Sequence, residues 1–177
     1  MSWLRTGGLV LGAWLAGLVV AAPGNAVVVT YEAFDIPDAG PLDVWSYRYR
    51  VSGRTFAKGE GLSVLFDVGS YRNLGSPPPQ VNADWDAIVL QPDLLLPDPG
   101  RYDAQALVDG PSLADDFGVL FAWLGAGAPG SQPIEIYGPG FQILETGETV
   151  PVPEPASALG VGLGLAALVI RRRVARG

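Results

Sequence analysis

The chain of 177 residues contains neither cysteine nor histidine, and these two absences remove much of the common catalytic and metal chemistry. Without cysteine there is no disulfide, no thiolate nucleophile and no thiol to carry a lipid anchor. Without histidine there is no Ser/His/Asp or Cys/His triad, no histidine-ligated zinc and no histidine-ligated haem. Triad enzymes and proteins with His- or Cys-ligated zinc are therefore excluded.

Glycine and proline are frequent, with 24 and 16 residues, yet apolar residues make up 49% of the chain and aromatic residues 10%. That apolar share is enough for a packed core, so the chain is not expected to be disordered throughout. The net charge of −7 is unevenly distributed, because residues 27–153 are strongly acidic whereas arginines cluster at residues 171–176. An acidic body repels phosphate groups, so no nucleic-acid partner is expected.

The N-terminal residues 1–26 have the layout of a secretory signal peptide. Arg5 precedes an uncharged apolar stretch over residues 7–22, and small residues lead to a candidate cleavage point after Ala26. Signal peptidase is the enzyme expected to cut there, and the mature chain is expected to begin at Val27. An uncleaved membrane anchor is the alternative, although the apolar stretch is shorter than a usual spanning helix.

The C-terminal residues combine a stiff motif, an apolar stretch and a basic end. In order, these are Pro153, Glu154 and Pro155, an uncharged stretch over residues 156–170, and a basic tail over residues 171–177 that begins with Arg171, Arg172 and Arg173. As a helix, the stretch would be about 22 Å long, short of a hydrocarbon core of about 30 Å. We expect a short transmembrane helix over residues 156–170, with the arginines on the cytoplasmic side.

This order of parts resembles the PEP-CTERM sorting signal of Gram-negative bacteria. In that family an exosortase, an integral-membrane cysteine transpeptidase, recognises the tail and cuts near the Pro-Glu-Pro. The resemblance implies that Pro153, Glu154 and Pro155 are the recognition element and that Arg171, Arg172 and Arg173 stop transfer. It also implies export, an inner-membrane intermediate, and a final place on the cell surface or in the extracellular matrix, where family members accompany exopolysaccharide and biofilm production.

Apolar and polar residues alternate along most of the region between these two termini, which is typical of half-buried β-strands. Arg48 and Arg50 lie opposite the first aromatic series, so the apolar side is predicted to face the core. The predicted inward positions are Trp45, Tyr47, Tyr49 and Val51; Leu62, Val64, Phe66 and Val68; Trp85, Ala87 and Val89; Tyr102, Ala104, Ala106 and Val108; Phe117, Val119, Phe121 and Trp123; and Ile134, Ile136, Phe141 and Ile143.

The fold class predicted from this pattern is all-β. Strands at this spacing, separated by glycine and proline turns, favour a small antiparallel β-sandwich of about seven to nine strands over residues 27–146. The N-terminal signal peptide helix and the C-terminal short transmembrane helix would flank this domain. A short helical turn is considered at residues 112–116, and residues 147–153 are predicted to be a stiff linker to the sorting signal, which ends at residue 177.

Carboxylates are the remaining candidates for site chemistry. Two of them could act as the acid and base of a glycoside hydrolase, and calcium, which prefers oxygen ligands, is a further candidate. The carboxylates considered for hydrolysis are Asp84, Asp86, Glu135, Glu145 and the pair Asp115 and Asp116; those considered for calcium are Asp35, Asp38 and Asp43 around one loop, and again Asp115 and Asp116. Chance pairing and simple solvation are the alternatives, because the domain is rich in acids.

The function predicted from the sequence is that of an exported, non-enzymatic surface or matrix protein with no catalytic residues and no required cofactor. Its expected partners are the exosortase, signal peptidase, the inner membrane transiently, and exopolysaccharide. A carbohydrate-binding module is the first alternative and would expose two or three aromatic side chains in a row. A secreted glycoside hydrolase is the second and would need a cleft with converging carboxylates.

Overall fold

The computed structural model describes residues 26–38 and 40–153. The predicted signal peptide helix, apart from Ala26, and the predicted transmembrane helix over residues 156–170 lie outside these ranges. Within them the structure contains no helix that is long and apolar enough to cross a membrane. The described region is all-β, which confirms the predicted fold class.

Ten strands make up the described region. They are β1 (Val28–Ile36), β2 (Asp43–Ser52), β3 (Gly61–Phe66), β4 (Tyr71–Arg72), β5 (Trp85–Leu90), β6 (Gly100–Ala106), β7 (Phe117–Trp123), β8 (Pro133–Tyr137), β9 (Ile143–Glu148) and β10 (Val150–Pro151). The first sheet has the order β10-β1-β2-β7-β4, and the second sheet has the order β5-β6-β3-β8-β9.

Three features of the strands differ from the prediction. There are ten strands instead of seven to nine, because short pairs such as β4 and β10 carry too few residues to show an alternating pattern. The pairing of β1 with β10 is parallel, so the sheets are not wholly antiparallel. The strands also continue past the predicted domain boundary at residue 146, since β9 reaches Glu148 and β10 reaches Pro151.

The core lies between the two sheets and is largely aromatic. The predicted inward faces of β2, β3, β6 and β7 are confirmed, and their side chains form one buried cluster. The rings of Trp85 and Phe117 meet across the sheets with centroids 5.1 Å apart, and those of Phe66 and Phe121 with centroids 6.1 Å apart. Burial of these large rings contributes apolar free energy that holds the sheets together.

The alternating pattern fails at a few positions. Val108, Phe141 and Ile143 are exposed, at 41%, 69% and 50%, because each lies at or beyond the end of a paired segment. The considered helical turn at residues 112–116 is an irregular loop. Val108, Phe141 and Ile143 thus point to solvent, whereas Leu113 of the loop packs partly buried against the core.

A buried polar cluster around Gln132 ties the two sheets at one end. The Tyr49 hydroxyl donates to Gln132 Oε1 at 3.1 Å, and Gln132 Nε2 donates to the hydroxyls of Tyr47 and Tyr71. The Gln132 backbone N–H donates to Thr149 Oγ1 at 2.9 Å, which fixes the point where the chain crosses from β9 to β10. Burial raises the pKa of all three tyrosines, so the cluster holds them as neutral phenols.

The last described residues are part of the first sheet. Thr30 is paired with Val150 and Tyr31 with Pro151, and the Val152 N–H donates to the Tyr31 carbonyl at 3.0 Å. The predicted linker over residues 147–153 is therefore largely built into the sheets. The chain leaves the domain at Pro153, which is exposed.

Candidate functional site

The outer face of the second sheet carries a groove of about 240 Å³, called here the outer-face groove. Its floor consists of Ser63, Arg101, Asp103, Glu135 and Tyr137. Its walls consist of Ile88, Leu90, Phe141 and Ile143. A polar floor between apolar walls distinguishes this face from an ordinary solvated sheet surface.

Strand register brings the floor residues together. Ser63 of β3 is paired with Asp103 of β6 on one side and with Glu135 of β8 on the other. These residues lie between inward-facing neighbours, so their side chains point to the outer face. Two strand spacings separate the two carboxylate residues, which places their Cα atoms about 10 Å apart.

Asp103 is the centre of the floor. Its Oδ2 accepts a hydrogen bond from Ser63 Oγ at 2.6 Å, and its Oδ1 accepts one from the Tyr137 hydroxyl at 2.6 Å. Such short bonds to a carboxylate are among the stronger ones in proteins. Burial, followed by the bond to Asp103, raises the pKa of Tyr137 well above its ordinary value. Tyr137 is therefore a fixed neutral donor at neutral pH.

Gly61 makes the bond between Tyr137 and Asp103 possible. Tyr137 is paired with Gly61, and its ring crosses that strand to reach Asp103 on β6. A Cβ atom at Gly61 would lie 2.2 Å from Tyr137 Cζ and 2.7 Å from the Ala104 carbonyl oxygen. The phenol ring of Tyr137 thus occupies the space that a side chain at position 61 would fill.

Arg101 and Glu135 form the second polar pair of the floor. Arg101 Nη1 donates to Glu135 Oε2 at 2.8 Å, and both side chains are mostly covered, with 32% and 23% exposure. The guanidinium neutralises one of the two floor carboxylates. Partial cover makes this pair less screened by solvent than a fully exposed pair.

Phe141 stands at the mouth of the outer-face groove in the turn between β8 and β9. Its ring stacks on Tyr137 with centroids 5.3 Å apart and an angle of 28° between the ring planes. Its φ of 59° lies in the left-handed region, which is costly for a bulky residue. The turn therefore holds a large apolar ring largely in solvent, at 69% exposure, in a strained backbone.

The carboxylates considered for hydrolysis are dispersed. Glu135 is in the groove floor, and Asp86 lines a smaller hollow beside it. Asp84 instead accepts a hydrogen bond from the Ser112 N–H at 2.9 Å, and Glu145 accepts one from the Val27 N–H at 3.0 Å. These two carboxylates hold the backbone of other chain segments.

The carboxylates considered for calcium also have protein partners. Asp38 accepts from the Val44 N–H, and Asp43 accepts from Trp45 Nε1. Asp115 accepts from Asn82 Nδ2, and Asp116 is paired with Arg48 and Arg50. Asp35 lies in β1 and is exposed.

The two aspartate groups lie near opposite ends of β2, about 20 Å apart. Within residues 26–38 and 40–153, the structure holds no group of three or more acidic side chains placed to bind a metal ion. Calcium binding stays a prediction.

The tyrosines and tryptophans predicted to face inward, which could otherwise have formed the exposed aromatic row of a carbohydrate-binding module, belong to the core. Tyr47, Tyr49 and Trp85 are buried, and Trp45 and Trp123 pack partly buried against the same cluster. The interpretation of this side as the core face is confirmed.

Sequence reasoning did not single out Ser63, Asp103 or Tyr137. Ser63 lies 40 residues from Asp103, and Tyr137 lies 34 residues from Asp103. Each residue alone fits the alternating pattern as an ordinary outward-facing position. The one local signal was Gly61, the glycine at the start of β3. A glycine inside a strand often marks a place where another group approaches the backbone closely.

The C-terminal region matches a family model described as the PEP-CTERM protein-sorting motif, over residues 151–173. No curated protein matches the chain. The motif begins inside β10, at Pro151, and its remaining residues from Glu154 onward lie outside the described ranges. The chain thus carries the signal of an exported protein that exosortase sorts and that reaches the cell surface.

Proposed function

We propose that this protein is a non-enzymatic component of the cell surface or extracellular matrix, where it associates with exopolysaccharide in a biofilm. The observation that carries the proposal is the sorting motif over residues 151–173, joined to a compact β domain. A signal peptide cut after Ala26 would start the export, and exosortase would complete it.

The outer-face groove supports a binding role rather than a catalytic one. A general acid or base must exchange a proton with the substrate, and so needs a carboxylate that is free to do so. Asp103 already accepts two hydroxyl hydrogen bonds, and Glu135 is paired with Arg101. Both carboxylates are held in fixed positions, which suits the orientation of a ligand.

The attachment of the tail supports surface delivery. Because β10 is paired with β1, only Pro153, Glu154 and Pro155 separate the sheet from the predicted membrane stretch at residue 156. Three residues can span at most about 10 Å. The domain is therefore kept close to the membrane until the tail is cut.

Replacement of Pro153, Glu154 and Pro155 with alanine tests this proposal. The prolines keep the motif out of helix, so the variant is expected to lose exosortase recognition and to stay in the inner membrane. The measurement is cell fractionation with an antiserum, in a host that carries the exosortase. Glu148→Ala removes a neighbouring exposed acid and is the matched control, with normal surface yield expected. Surface yield of the triple variant equal to that of the parent would contradict the proposal.

A further inference from the structure

The outer-face groove combines an exposed apolar surface with a polar one. Ile88, Leu90, Phe141 and Ile143 are apolar and at least 48% exposed, while the floor between them is polar. A ring with apolar C–H faces and a rim of hydroxyls matches both surfaces at once. We propose that the groove binds a hexose-sized unit of a neutral polysaccharide, with one face of the ring on Phe141 and its hydroxyls on Asp103 and Glu135.

The size of the groove limits the occupant. Its volume of about 240 Å³ lies below the range of roughly 300–1,000 Å³ typical of sites for drug-sized ligands. One sugar ring of a longer chain is therefore held, while the rest of the polymer continues across the exposed face. This proposal rests on the proposed surface function, because delivery to the surface is what brings the protein into contact with a polysaccharide. It adds the class of ligand.

The charges around the groove select against acidic ligands. Its floor holds the carboxylates of Asp103 and Glu135 against the single guanidinium of Arg101, and Asp86 lies in the adjacent hollow. The whole chain has a net charge of −7. A uronic acid unit would meet repulsion at short and long range, whereas a neutral hexose would not.

The hydrogen bonds of the floor select against a purely apolar ligand. A carboxylate has about four lone-pair positions, and Asp103 uses one on each oxygen for Ser63 and Tyr137. An acyl chain laid on this floor would remove water from the remaining positions and offer no donor in return, which is costly. Sugar hydroxyls supply such donors.

The backbone of Phe141 provides an independent sign of function. A φ of 59° strains the backbone of Phe141, whereas glycine adopts this conformation at little cost. The ring is 69% exposed, so it contributes little to core packing. Strain of this kind tends to be kept at binding sites. Phe141→Gly is therefore expected to leave the melting temperature unchanged or higher while it removes the sugar platform.

Binding is tested with the processed protein, purified from the surface of a host that carries the exosortase. The probes are neutral oligosaccharides of glucose, mannose and galactose, with oligouronates of equal length as the acidic comparison, on an array and then by calorimetry. We expect binding to a neutral series, with the dissociation constant raised about tenfold or more in Phe141→Gly and in Phe141→Ala. Phe34→Ala is the matched control, because this ring is also exposed but lies on the first sheet beneath Arg48.

Three results would overturn the proposal: no binding to any neutral series, tighter binding to the oligouronates, or unchanged binding in both Phe141 variants with a normal melting temperature. Any of these with normal surface delivery rejects the sugar site alone. Retention in the inner membrane of both parent and motif variant rejects the proposed function; the same array, run with parent protein extracted from that membrane, then decides on the groove.

A second observation concerns the entry of the chain into the domain. The backbone nitrogen of Val27 lies 3.0 Å from Glu145 Oε1, in a contact that is partly buried. Val27 directly precedes β1 of the first sheet, and Glu145 belongs to β9 of the second sheet. The carboxylate therefore joins the two sheets through the first residue expected in the mature chain.

We infer that Glu145 binds the α-ammonium group that forms at Val27 when the signal peptide is removed. Hydrolysis of the Ala26–Val27 bond adds one water, leaves a carboxylate on Ala26 and leaves an amine on Val27 that is protonated at neutral pH. The existing bond from a neutral amide to the carboxylate then becomes an ion pair, which adds the attraction between two full charges to the hydrogen bond. Processing would thus stabilise the folded domain.

The single lysine of the chain makes this inference testable. In a Lys58→Arg background the α-amine is the only amine, so mild acetylation modifies that group alone. N-terminal sequencing of the exported protein is expected to begin at Val27. Acetylation is expected to lower the melting temperature by a few degrees in Lys58→Arg and by less than one degree in Lys58→Arg/Glu145→Gln. Another first residue, or an equal loss in both proteins, overturns the inference.

Discussion

The outer faces of the two sheets are built from similar parts but behave differently. Each carries an arginine–carboxylate pair and an outward glycine within a strand. On the first sheet, Arg50 and Asp116 are 59% and 32% exposed, and a Cβ atom at Gly118 would meet its neighbours only at ordinary contact distances of 3.7 Å or more. On the second sheet, Arg101 and Glu135 are more covered, and Gly61 is filled by the Tyr137 ring.

The comparison shows that burial from solvent, rather than residue type, distinguishes the groove from the outer face of the first sheet. The turn between β8 and β9 brings Phe141 against Tyr137, and Tyr137 then spans β3 to reach Asp103. On the first sheet, Asp116 is shared by Arg48 and Arg50, and both arginines are largely exposed to solvent. The predictions below test this contrast, from the largest expected effect to the smallest.

The two outward glycines give the strongest test. Gly61→Ala places a Cβ 2.2 Å from the Tyr137 ring and 2.7 Å from a backbone oxygen, so the ring must leave Asp103. Overpacking of this kind costs about 1–3 kcal/mol of unfolding free energy, or more where backbone is involved. Gly118→Ala is the control, because its nearest atom would be Pro79 Cγ at 3.7 Å, an ordinary contact. Urea titration should show a large loss only for Gly61→Ala; equal losses would contradict the packing argument.

Tyr137→Phe removes the donor to Asp103 and keeps the ring. We expect a loss of about 1–2 kcal/mol in unfolding free energy at pH 7, since a bond to a carboxylate disappears. The pKa of Tyr137 is raised in the folded state, so the contribution of its neutral phenol is complete below about pH 10 and is lost as the pH rises above it.

The alkaline loss of stability should therefore be shallower in Tyr137→Phe than in the parent, by about 1 kcal/mol between pH 10 and pH 11. Thermal melts at pH 7 and between pH 10 and 11 give both quantities. Identical alkaline slopes would show that the phenol of Tyr137 ionises freely in the folded protein.

The ion pairs on the two faces should also differ. Glu135→Gln is expected to cost about 1 kcal/mol and Asp116→Asn about 0.3 kcal/mol, because exposed pairs are screened by water. High salt should reduce the second cost more than the first. A larger cost for Asp116→Asn would reverse the comparison between the faces.

The last expected effect is a gain in stability, and it lies inside the second sheet. The buried Tyr102 hydroxyl has no hydrogen-bond partner among the described residues, unlike that of Tyr137 on the other face of the same sheet. Tyr102→Phe removes an uncompensated polar group, so a gain of up to about 1 kcal/mol in unfolding free energy is expected. Loss of stability in a urea titration would indicate that the hydroxyl has a partner.

Sequence patterns predicted the inner layer well because burial imposes a period of two on each strand separately. Tyr47 and Tyr49 could be assigned to the core from their neighbours Arg48 and Arg50 alone. The groove could not be predicted in this way, since Asp103 meets Ser63 and Tyr137 only through the pairing of three distant strands. The strand β10 was missed for a similar reason, because two residues with a proline carry no pattern.

The parallel pairing of β10 with β1 has a mechanical consequence. While the tail is held in the membrane, any tension on the domain acts at Pro153. From there it passes along β10 and, through the hydrogen bonds between the two strands, to the nine residues of β1. Force along parallel strands loads their hydrogen bonds together in shear, whereas force across an edge would open them one at a time. The bond from Val152 to Tyr31 and the anchor of Thr149 on Gln132 share that load. The pairing of β10 with β1 therefore resists unfolding when the domain is pulled from its C-terminal end.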